Sequence, residues 1–145
     1  MHEQLKLDNQ LCFRLYTASR LVTQAYRPLL EPLGLTYPQY IVMMVLWEKD
    51  NQLVGDISRR LMLDSNTLTP LLQRMEKEGL VIRTKGIADG RQTLVSLTKK
   101  GHALEEQAKE VPSCMASLWG DTPLSPDEAN RLVSNLDNII NIHKK

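Results

Sequence analysis

The sequence predicts a mainly α-helical fold with one small β-hairpin near the middle of the chain. Two observations support this prediction. Apolar residues recur at helical spacing along most of the 145 residues, and two short strand-like segments flank a turn that contains glycine. The first helix is expected over residues 8–31, where Pro32 and Gly34 end it. Its apolar positions are Leu11, Leu15, Ala18, Val22, Ala25 and Leu29.

A second helix is predicted to begin at Thr36 and to run to about Glu48. Thr36 can cap this helix, Gln39 can bond back to the cap, and Pro38 is tolerated in the first turn. Because the segment is mostly apolar, we expect it to be buried. A short third helix follows, and the apolar residues on one of its faces are Val54, Ile57 and Leu61.

The fourth predicted helix has two distinct faces. It starts at a cap formed by Asp64 or Ser65, runs to about Glu78 and stops at Gly79. Its apolar face, which should pack on the core, carries Leu68, Leu71, Leu72 and Met75. Its opposite, polar face carries Ser65, Asn66, Thr67, Thr69, Gln73 and Arg74.

Two short strands are expected next, over Leu80–Lys85 and Arg91–Leu97, with a hairpin tip over residues 87–90. Two short helices separated by a tight turn and followed by such a hairpin are typical of a winged helix-turn-helix. In that arrangement the second helix of the pair fits the major groove of DNA. The pattern therefore predicts a fold that is mainly α with a small β-wing.

The chain is predicted to end in two further helices. Thr98 caps a fifth helix that runs to about Trp119. A capping box over residues 125–128, with proline at the first helical position, opens a last helix that ends near His143.

Charge is unevenly distributed along the chain, although its net value is only +1. Residues 59–100 carry nine basic and four acidic groups, whereas residues 1–58 carry five and six and residues 101–145 carry four and seven. A basic central third between acidic flanks favours contact with a polyanion. The N-terminus lacks a signal-peptide pattern, and the longest apolar run, Tyr40–Trp47, is far too short to span a bilayer. We therefore expect a cytoplasmic protein.

Within the basic third, the polar face of the fourth helix and the hairpin tip are the expected contacts with nucleic acid. Thr67, Gln73 and Arg74 can reach base edges or phosphates. Arg91 at the tip can enter a minor groove, where the negative potential is enhanced, and Asp89 can hold it in position. The same pattern is also compatible with an ordinary helical subdomain that carries a surface hairpin.

Two groups of motifs make the pattern more specific. The chain resembles the MarR family of winged-helix repressors through residues 63–72, Asp89-Gly90-Arg91 and Leu97-Thr98. It looks like the organic-peroxide-sensing branch of that family, OhrR, through Leu11-Cys12-Phe13, Tyr26-Arg27-Pro28-Leu29-Leu30 and residues 35–40. The resemblance is close over residues 8–105 and loose over the last two helices.

The resemblance implies one domain over residues 1–145 that works as an obligate homodimer on double-stranded DNA. Residues 36–98 would form the winged helix-turn-helix, and residues 1–35 and 99–145 would form interlocking N- and C-terminal dimerisation helices. Two such DNA-binding parts would bind a pseudopalindromic operator. The implied function is a repressor that organic hydroperoxide releases from DNA.

The resemblance also implies a thiol sensor. Organic hydroperoxides would oxidise Cys12 to sulfenic acid, and Tyr26 and Tyr37 from the second subunit would donate hydrogen bonds to its sulfur. Cys114 lies near the place where some members carry a second cysteine that closes a disulfide between subunits. In other members a small cellular thiol caps the sensing cysteine, and the sequence leaves both routes open.

The spacing of Cys12 and Tyr26 independently supports a site shared between subunits. Fourteen residues separate them, which is about 21 Å along a helix, so they cannot touch within one helix. Two such helices packed antiparallel would bring each cysteine to the tyrosine of the other copy. On pattern alone, however, a cysteine on an apolar helix is more often inert packing. Neither cysteine has a metal-ligand pattern around it, and we expect no metal, no cofactor and no enzymatic activity.

Three other functions fit parts of the sequence. The first is a MarR-type repressor that a small aromatic ligand releases without thiol chemistry. The second is a thiol peroxidase, which is disfavoured because the chain lacks a thioredoxin-like βαβ pattern. The third is a winged-helix module for protein interaction, against which the basic central third argues.

Overall fold

The computed structural model describes residues 1–86, 88, 90–118 and 124–144 and divides the chain into two compact units, Met1–Met115 and Ala116–Lys145. The fold is mostly helical with a small antiparallel sheet, as the sequence predicts. The helices are α1 (Leu11–Leu30), α2 (Tyr37–Glu48), α3 (Val54–Leu61), α4 (Ser65–Lys77), α5 (Lys99–Ala108), α6 (Val111–Leu118) and α7 (Pro126–His143). The strands are β1 (Gln52–Leu53), β2 (Val81–Lys85) and β3 (Thr93–Leu97).

Helix α1 begins three residues later than predicted because the preceding residues form two short 3₁₀ turns, Glu3–Leu5 and Leu7–Asn9. The side-chain amide of Gln10 donates to the carbonyls of Gln4 and Lys6, both at 2.8 Å, and this holds the turns together. Within α1 only Leu30 is buried. Most of the helix therefore offers its apolar side chains to solvent in a single chain.

Helix α2 has the predicted cap and the predicted burial. The hydroxyl of Thr36 accepts from the backbone N–H of Gln39 at 3.3 Å, and the Gln39 side chain accepts from the Thr36 N–H at 3.1 Å. These reciprocal bonds satisfy two donors that a helix start would otherwise leave unpaired. The apolar centre of the core is formed by this helix through Tyr40, Val42, Met43, Val45 and Leu46.

Helix α4 also follows the prediction. The Asp64 carboxylate accepts from the Thr67 N–H at 2.9 Å and caps its start, and Gly79, at a φ of +79°, ends it in the left-handed region. The four predicted apolar positions are all buried: Leu68, Leu71, Leu72 and Met75. The polar face is consequently turned away from the core.

The sheet has one strand that the sequence analysis missed. Strands β2 and β3 form the predicted hairpin, with Val81 opposite Leu97, and β1 pairs with the other edge of β3. A strand of two residues is too short to show any periodicity, so only tertiary pairing reveals it. The expected tip includes Ile87 and Asp89, which lie outside the described residues.

The single fifth helix predicted from Thr98 to Trp119 is wrong, because the structure has α5 and α6 in its place. Pro112 explains the break: a proline has no N–H, and its ring clashes with the carbonyl four residues earlier, which belongs to Ala108. Helix α5 ends at Ala108, and Pro112 lies in the first turn of α6. Trp119 lies outside the described residues.

The second unit contains α7, whose start is capped as predicted. The Ser125 hydroxyl accepts from the Glu128 N–H at 3.2 Å, and the Glu128 carboxylate accepts from the Ser125 N–H at 3.3 Å. None of the residues of α7 is buried.

Across the described ranges, no single helix combines the length and the apolar composition that a membrane span requires. Two helical segments, Leu11–Leu33 and Tyr37–Glu48, reach that length and composition together, but they meet at a 68° bend.

Candidate nucleic-acid interface and thiol site

The polar face of α4 is available for a partner. Five of its six predicted contact residues are exposed, and Thr69 is half-buried. Because the opposite face of the same helix is buried, the helix is fixed on the core while its polar side chains stay in solvent. The exposed residues are Ser65, Asn66, Thr67, Gln73 and Arg74.

A cleft of about 350 Å³ joins α4 to the hairpin. Ser65 and Thr69 line it from α4, and Arg91 lines it from the turn that precedes β3. The structure thus brings together predicted residues that lie more than twenty positions apart in sequence. Asp89, which the sequence analysis pairs with Arg91, lies outside the described residues.

The same cleft contains charged side chains that the sequence analysis did not single out. Arg59 and Arg83 line it, and Asp56 forms an ion pair with Arg59. The basic bias of residues 59–100 includes both arginines, but nothing in their spacing distinguishes them from solvated surface charges. Only the folded arrangement of α3, α4 and the sheet places them in one cleft.

Glu76 on α4 is bonded to Arg83 on β2 through three hydrogen bonds. The Arg83 backbone N–H donates to Glu76 Oε2 at 2.9 Å, and the guanidinium donates to Oε1 through Nε at 3.2 Å and Nη2 at 3.1 Å. The backbone bond first, and then the guanidinium, hold the pKa of Glu76 below its usual value. This pair fixes the hairpin to α4, the predicted recognition helix, which is the helix that the sequence predicts to enter the major groove of DNA.

The base of the hairpin is also bonded to the start of α5. Thr98 donates through its backbone N–H to the Leu80 carbonyl at 3.1 Å and through its hydroxyl to the Gly79 carbonyl at 2.6 Å. Buried Gly101 packs so closely on this point that an added Cβ would lie under 3.0 Å from the Leu80 oxygen. The segment that joins α4 to β2 is therefore in direct contact with the first turn of α5.

The two cysteines are free and exposed. Cys12 is the second residue of α1, and Cys114 lies on α6. The two 3₁₀ turns, to which the Gln10 side chain is bonded, immediately precede the start of α1.

Tyr26, Tyr37 and Tyr40 form a cluster of rings at the other end of α1. The ring centroids of Tyr26 and Tyr37 are 4.9 Å apart, and that of Tyr40 is 5.8 Å from Tyr26 and 6.2 Å from Tyr37. Burial, followed by the neighbouring Tyr26, raises the pKa of both Tyr37 and Tyr40 above the ordinary tyrosine value of 10.0. A phenol is already protonated at neutral pH at that ordinary value, so both side chains can donate a hydrogen bond.

The structure brings Tyr26 and Tyr37 together, while helical geometry keeps Cys12 about 21 Å from Tyr26 on the same helix. Tyr40 and Trp47 both lie on α2, the helix that the sequence predicts to be buried. Tyr40 is buried, and half-buried Trp47 packs against the core with its ring centroid 6.5 Å from that of Tyr40. In the described part of the chain, no group of three acidic, histidine or cysteine side chains is placed to hold a metal ion.

The chain has two short helices, α3 and α4, which are followed by the β2–β3 hairpin, and α4 exposes a polar face. This arrangement defines a winged helix-turn-helix protein. A family model described as transcriptional regulator SarA/Rot matches residues 24–107. The organic hydroperoxide resistance transcriptional regulator of Bacillus subtilis is 41% identical over 144 residues, which cover 99% of this chain and 96% of that protein. The chain therefore belongs to the MarR/SarA family of winged-helix transcriptional regulators, in the organic-hydroperoxide branch that its motifs predict.

Two solved structures of AbfR of Staphylococcus epidermidis, each 39% identical, extend the comparison. Reduced AbfR bound to DNA superposes with a TM-score of 0.79, covering 96% of this chain and 95% of that one. Disulfide-formed AbfR superposes with a TM-score of 0.66, covering 95% of each chain.

Proposed function

We propose that two copies of this chain form a cytoplasmic repressor that binds a pseudopalindromic DNA operator and releases it when organic hydroperoxides oxidise Cys12. The family membership supports the regulatory role. The name of the Bacillus subtilis relative supports the organic hydroperoxide signal, and the AbfR structures support a protein that binds DNA when reduced and can form a disulfide.

The main observation in support of this proposal is that the thiol and the tyrosines of the expected sensor site lie far apart within a single chain. Exposed Cys12 lies at one end of α1, and the paired rings of Tyr26 and Tyr37 lie at the other. A second copy whose α1 runs antiparallel would place each thiol beside the phenols of the other copy. Phenol hydroxyls would then donate hydrogen bonds to the sulfur anion and favour its reactive form.

The proposed oxidation is a two-electron step. The Cys12 thiolate attacks one peroxide oxygen, so an S–O bond forms, the O–O bond breaks and the alkoxide leaves with a proton as an alcohol. The sulfenic acid then reacts with the thiol of Cys114 of the partner subunit. An S–S bond forms, and the sulfenic oxygen leaves as water after taking the thiol proton. The AbfR disulfide form and the exposure of Cys114 favour this route over capping by a small thiol.

The dimer would cover apolar surface that a single chain exposes. In the first unit the exposed residues on α1 include Leu11, Phe13, Tyr16 and Leu21, and in the second unit those on α7 include Leu132, Val133, Ile139, Ile140 and Ile142. Apolar patches of this kind mark association surfaces in otherwise soluble folds. Phe13 and Leu15 lie close to Cys12 on α1, and apolar side chains around the thiol would favour bulky organic peroxides over hydrogen peroxide.

We assign DNA contact to the polar face of α4 and to the hairpin. In this assignment α4 enters the major groove, and the hairpin reaches the adjacent minor groove. Arg59 and Arg83 share the cleft with Arg91, but each is paired with a carboxylate, that of Asp56 or Glu76, so we assign them to holding the cleft in shape. The α4 contacts are Ser65, Asn66, Thr67, Thr69, Gln73 and Arg74, and the hairpin contacts are Asp89 and Arg91.

The test is reversible oxidation of the intact protein–DNA complex. Cumene hydroperoxide should release the DNA, and dithiothreitol should restore binding. Mass spectrometry in parallel should find Cys12 as sulfenic acid or joined to Cys114 across the dimer. Unmodified Cys12 in protein that has released its DNA would contradict the proposal.

A second candidate is release by a small aromatic ligand without thiol chemistry. One observation favours it: a largely apolar cavity of about 440 Å³ lies between α2, α5 and α6, lined by Tyr40, Met44, Trp47 and Pro112 among others. The Cys12→Ser variant separates the two candidates, because a ligand-released repressor would still dissociate when an aromatic ligand such as salicylate is added.

A further inference from the structure

Trp47 connects the tyrosine cluster to the DNA-binding half of the first unit. Its ring centroid is 6.5 Å from that of Tyr40 in an edge-on arrangement, and its indole N–H donates to the Gly101 carbonyl at 3.0 Å. The hydrogen bond joins residues that are 54 positions apart in sequence. It bridges α2, which carries Tyr37 and Tyr40, to the first turn of α5.

Helix α2 is suited to transmit a displacement as a rigid body. Tyr37 is its first residue and Trp47 is near its last, ten residues or about 15 Å further along. Val42, Met43 and Leu46 between them are fully buried. A well-packed helix of this kind moves as a unit because its core contacts resist local bending.

Gly101, the acceptor of this hydrogen bond, packs closely against Leu80 and Leu97 at the base of the hairpin. A Cβ on this residue would lie under 3.0 Å from the Leu80 oxygen and 3.1 Å from Leu97 Cδ2, so the two backbones are nearly in contact. Leu80 lies between α4 and β2. A shift of Gly101 would therefore act on the predicted recognition helix and the hairpin together, since Glu76 and Arg83 bind these two elements to each other.

We propose that Trp47 is the positioning residue that couples the sensor tyrosines to the DNA-binding elements. The inference rests on the proposed function and adds one step to it: oxidised Cys12 no longer accepts the hydrogen bonds of Tyr26 and Tyr37 of the other copy, and these two rings are displaced. The displacement moves α2, the indole of Trp47 moves with it, and its bond to Gly101 carries the change to the junction of α4 and β2. Trp47 touches neither the thiol nor DNA in this mechanism.

Trp47→Phe tests the coupling, because it keeps an aromatic ring and removes the indole N–H. We expect reduced Trp47→Phe to bind DNA like the wild type and Cys12 to oxidise at the wild-type rate, measured by mass spectrometry. The loss of DNA affinity on oxidation should be at least about fivefold smaller than in the wild type, as expected when a coupling between sites is broken. Met44→Leu, which changes the same cavity without removing a hydrogen bond, should release DNA normally.

The outcomes separate this inference from the proposed function. If oxidised Trp47→Phe loses DNA affinity as fully as the wild type, the coupling role of Trp47 is wrong and the sensor proposal stands. If the wild type itself keeps its DNA after Cys12 is oxidised, the coupling role of Trp47 and the sensor proposal are both contradicted. If Met44→Leu fails to release DNA in the same way as Trp47→Phe, general packing of the cavity explains the effect, and the specific role of the indole is contradicted.

A spectroscopic measurement keeps the inference testable even where Trp47→Phe does not fold. Trp47 and Trp119 are the two tryptophans of the chain, so Trp119→Phe leaves Trp47 as the only indole. Its emission should shift when cumene hydroperoxide releases DNA from this otherwise wild-type protein, and dithiothreitol should reverse the shift. Release of DNA without any change in Trp47 emission would overturn the inference.

Discussion

Glu76 accepts three hydrogen bonds from Arg83, one from its backbone N–H and two from its guanidinium. The pair joins α4 to β2 at the point where the predicted recognition helix turns into the hairpin. Charged hydrogen bonds in a forked geometry fix orientation as well as distance. The Glu76 carboxylate therefore contributes directly to the relative position of the two proposed DNA-contacting elements.

Glu76→Gln should weaken DNA binding and change the pH dependence of stability. The pKa of Glu76 is lowered in the folded protein, so its ionised form stabilises the fold at neutral pH. That contribution is fully present above the usual glutamate value of 4.5 and is lost as the pH falls through the lower folded pKa. Thermal unfolding of the wild type and the variant between pH 3 and 7 should converge at low pH. A constant difference across this range would contradict the assignment.

Gly101→Ala should destabilise the fold by about 3 kcal/mol, because the added methyl group meets the Leu80 carbonyl backbone, which cannot move aside as a side chain can. Gly55→Ala is the matched control. Gly55 is also helical, and an added Cβ there would meet only the Arg59 guanidinium at 3.7 Å. Urea unfolding at equal protein concentration should show the control unchanged or slightly stabilised. Equal destabilisation of both variants would show that helical alanine, and not the close approach to Leu80, is responsible.

Arg91→Ala should weaken DNA binding strongly and leave the protein folded. The lost side chain lines the cleft between α4 and the hairpin, and its charge is proposed to enter a minor groove. The slope of log affinity against log salt should fall by about one, as expected for one lost phosphate-directed cation. Lys144→Ala, which removes the same charge beyond the end of α7, is the control. Unchanged affinity of Arg91→Ala at several salt concentrations would remove Arg91 from the interface.

Tyr26→Phe and Tyr37→Phe should each leave DNA affinity intact and slow the oxidation of Cys12 roughly tenfold, because each removes one proposed hydrogen-bond donor to the charged sulfur. The ring contact between them at 4.9 Å should survive, since phenylalanine keeps the ring. Stopped-flow oxidation followed by thiol trapping measures the rate. Wild-type rates in both variants would argue against a tyrosine-assisted thiol.

Local side-chain chemistry made several helix starts predictable. Thr36 with Gln39, Asp64, and Ser125 with Glu128 each bond to backbone groups within three residues, so the sequence alone contains both partners. The apolar face of α4 was predictable for a similar reason, because its period follows directly from helical geometry.

Features that depend on distant partners were not predictable in this way. β1 exists only because β3 pairs with it, and Glu76 meets Arg83 only after the hairpin folds back on α4. The same holds for the bond from Trp47 to Gly101. The break between α5 and α6 is different, since Pro112 was a visible signal that the helical periodicity on either side obscured.

The central claim, that Cys12 is the peroxide sensor, is tested most directly by titrating DNA complexes of the wild type, Cys12→Ser and Cys114→Ser with cumene hydroperoxide. A serine hydroxyl has nearly the shape of the thiol and is not oxidised, so Cys12→Ser should bind DNA normally and keep it at every dose. Cys114→Ser should still release DNA, but its Cys12 should overoxidise more readily, and no intersubunit disulfide should form. Dissociation of Cys12→Ser at the same peroxide dose as the wild type would contradict the claim.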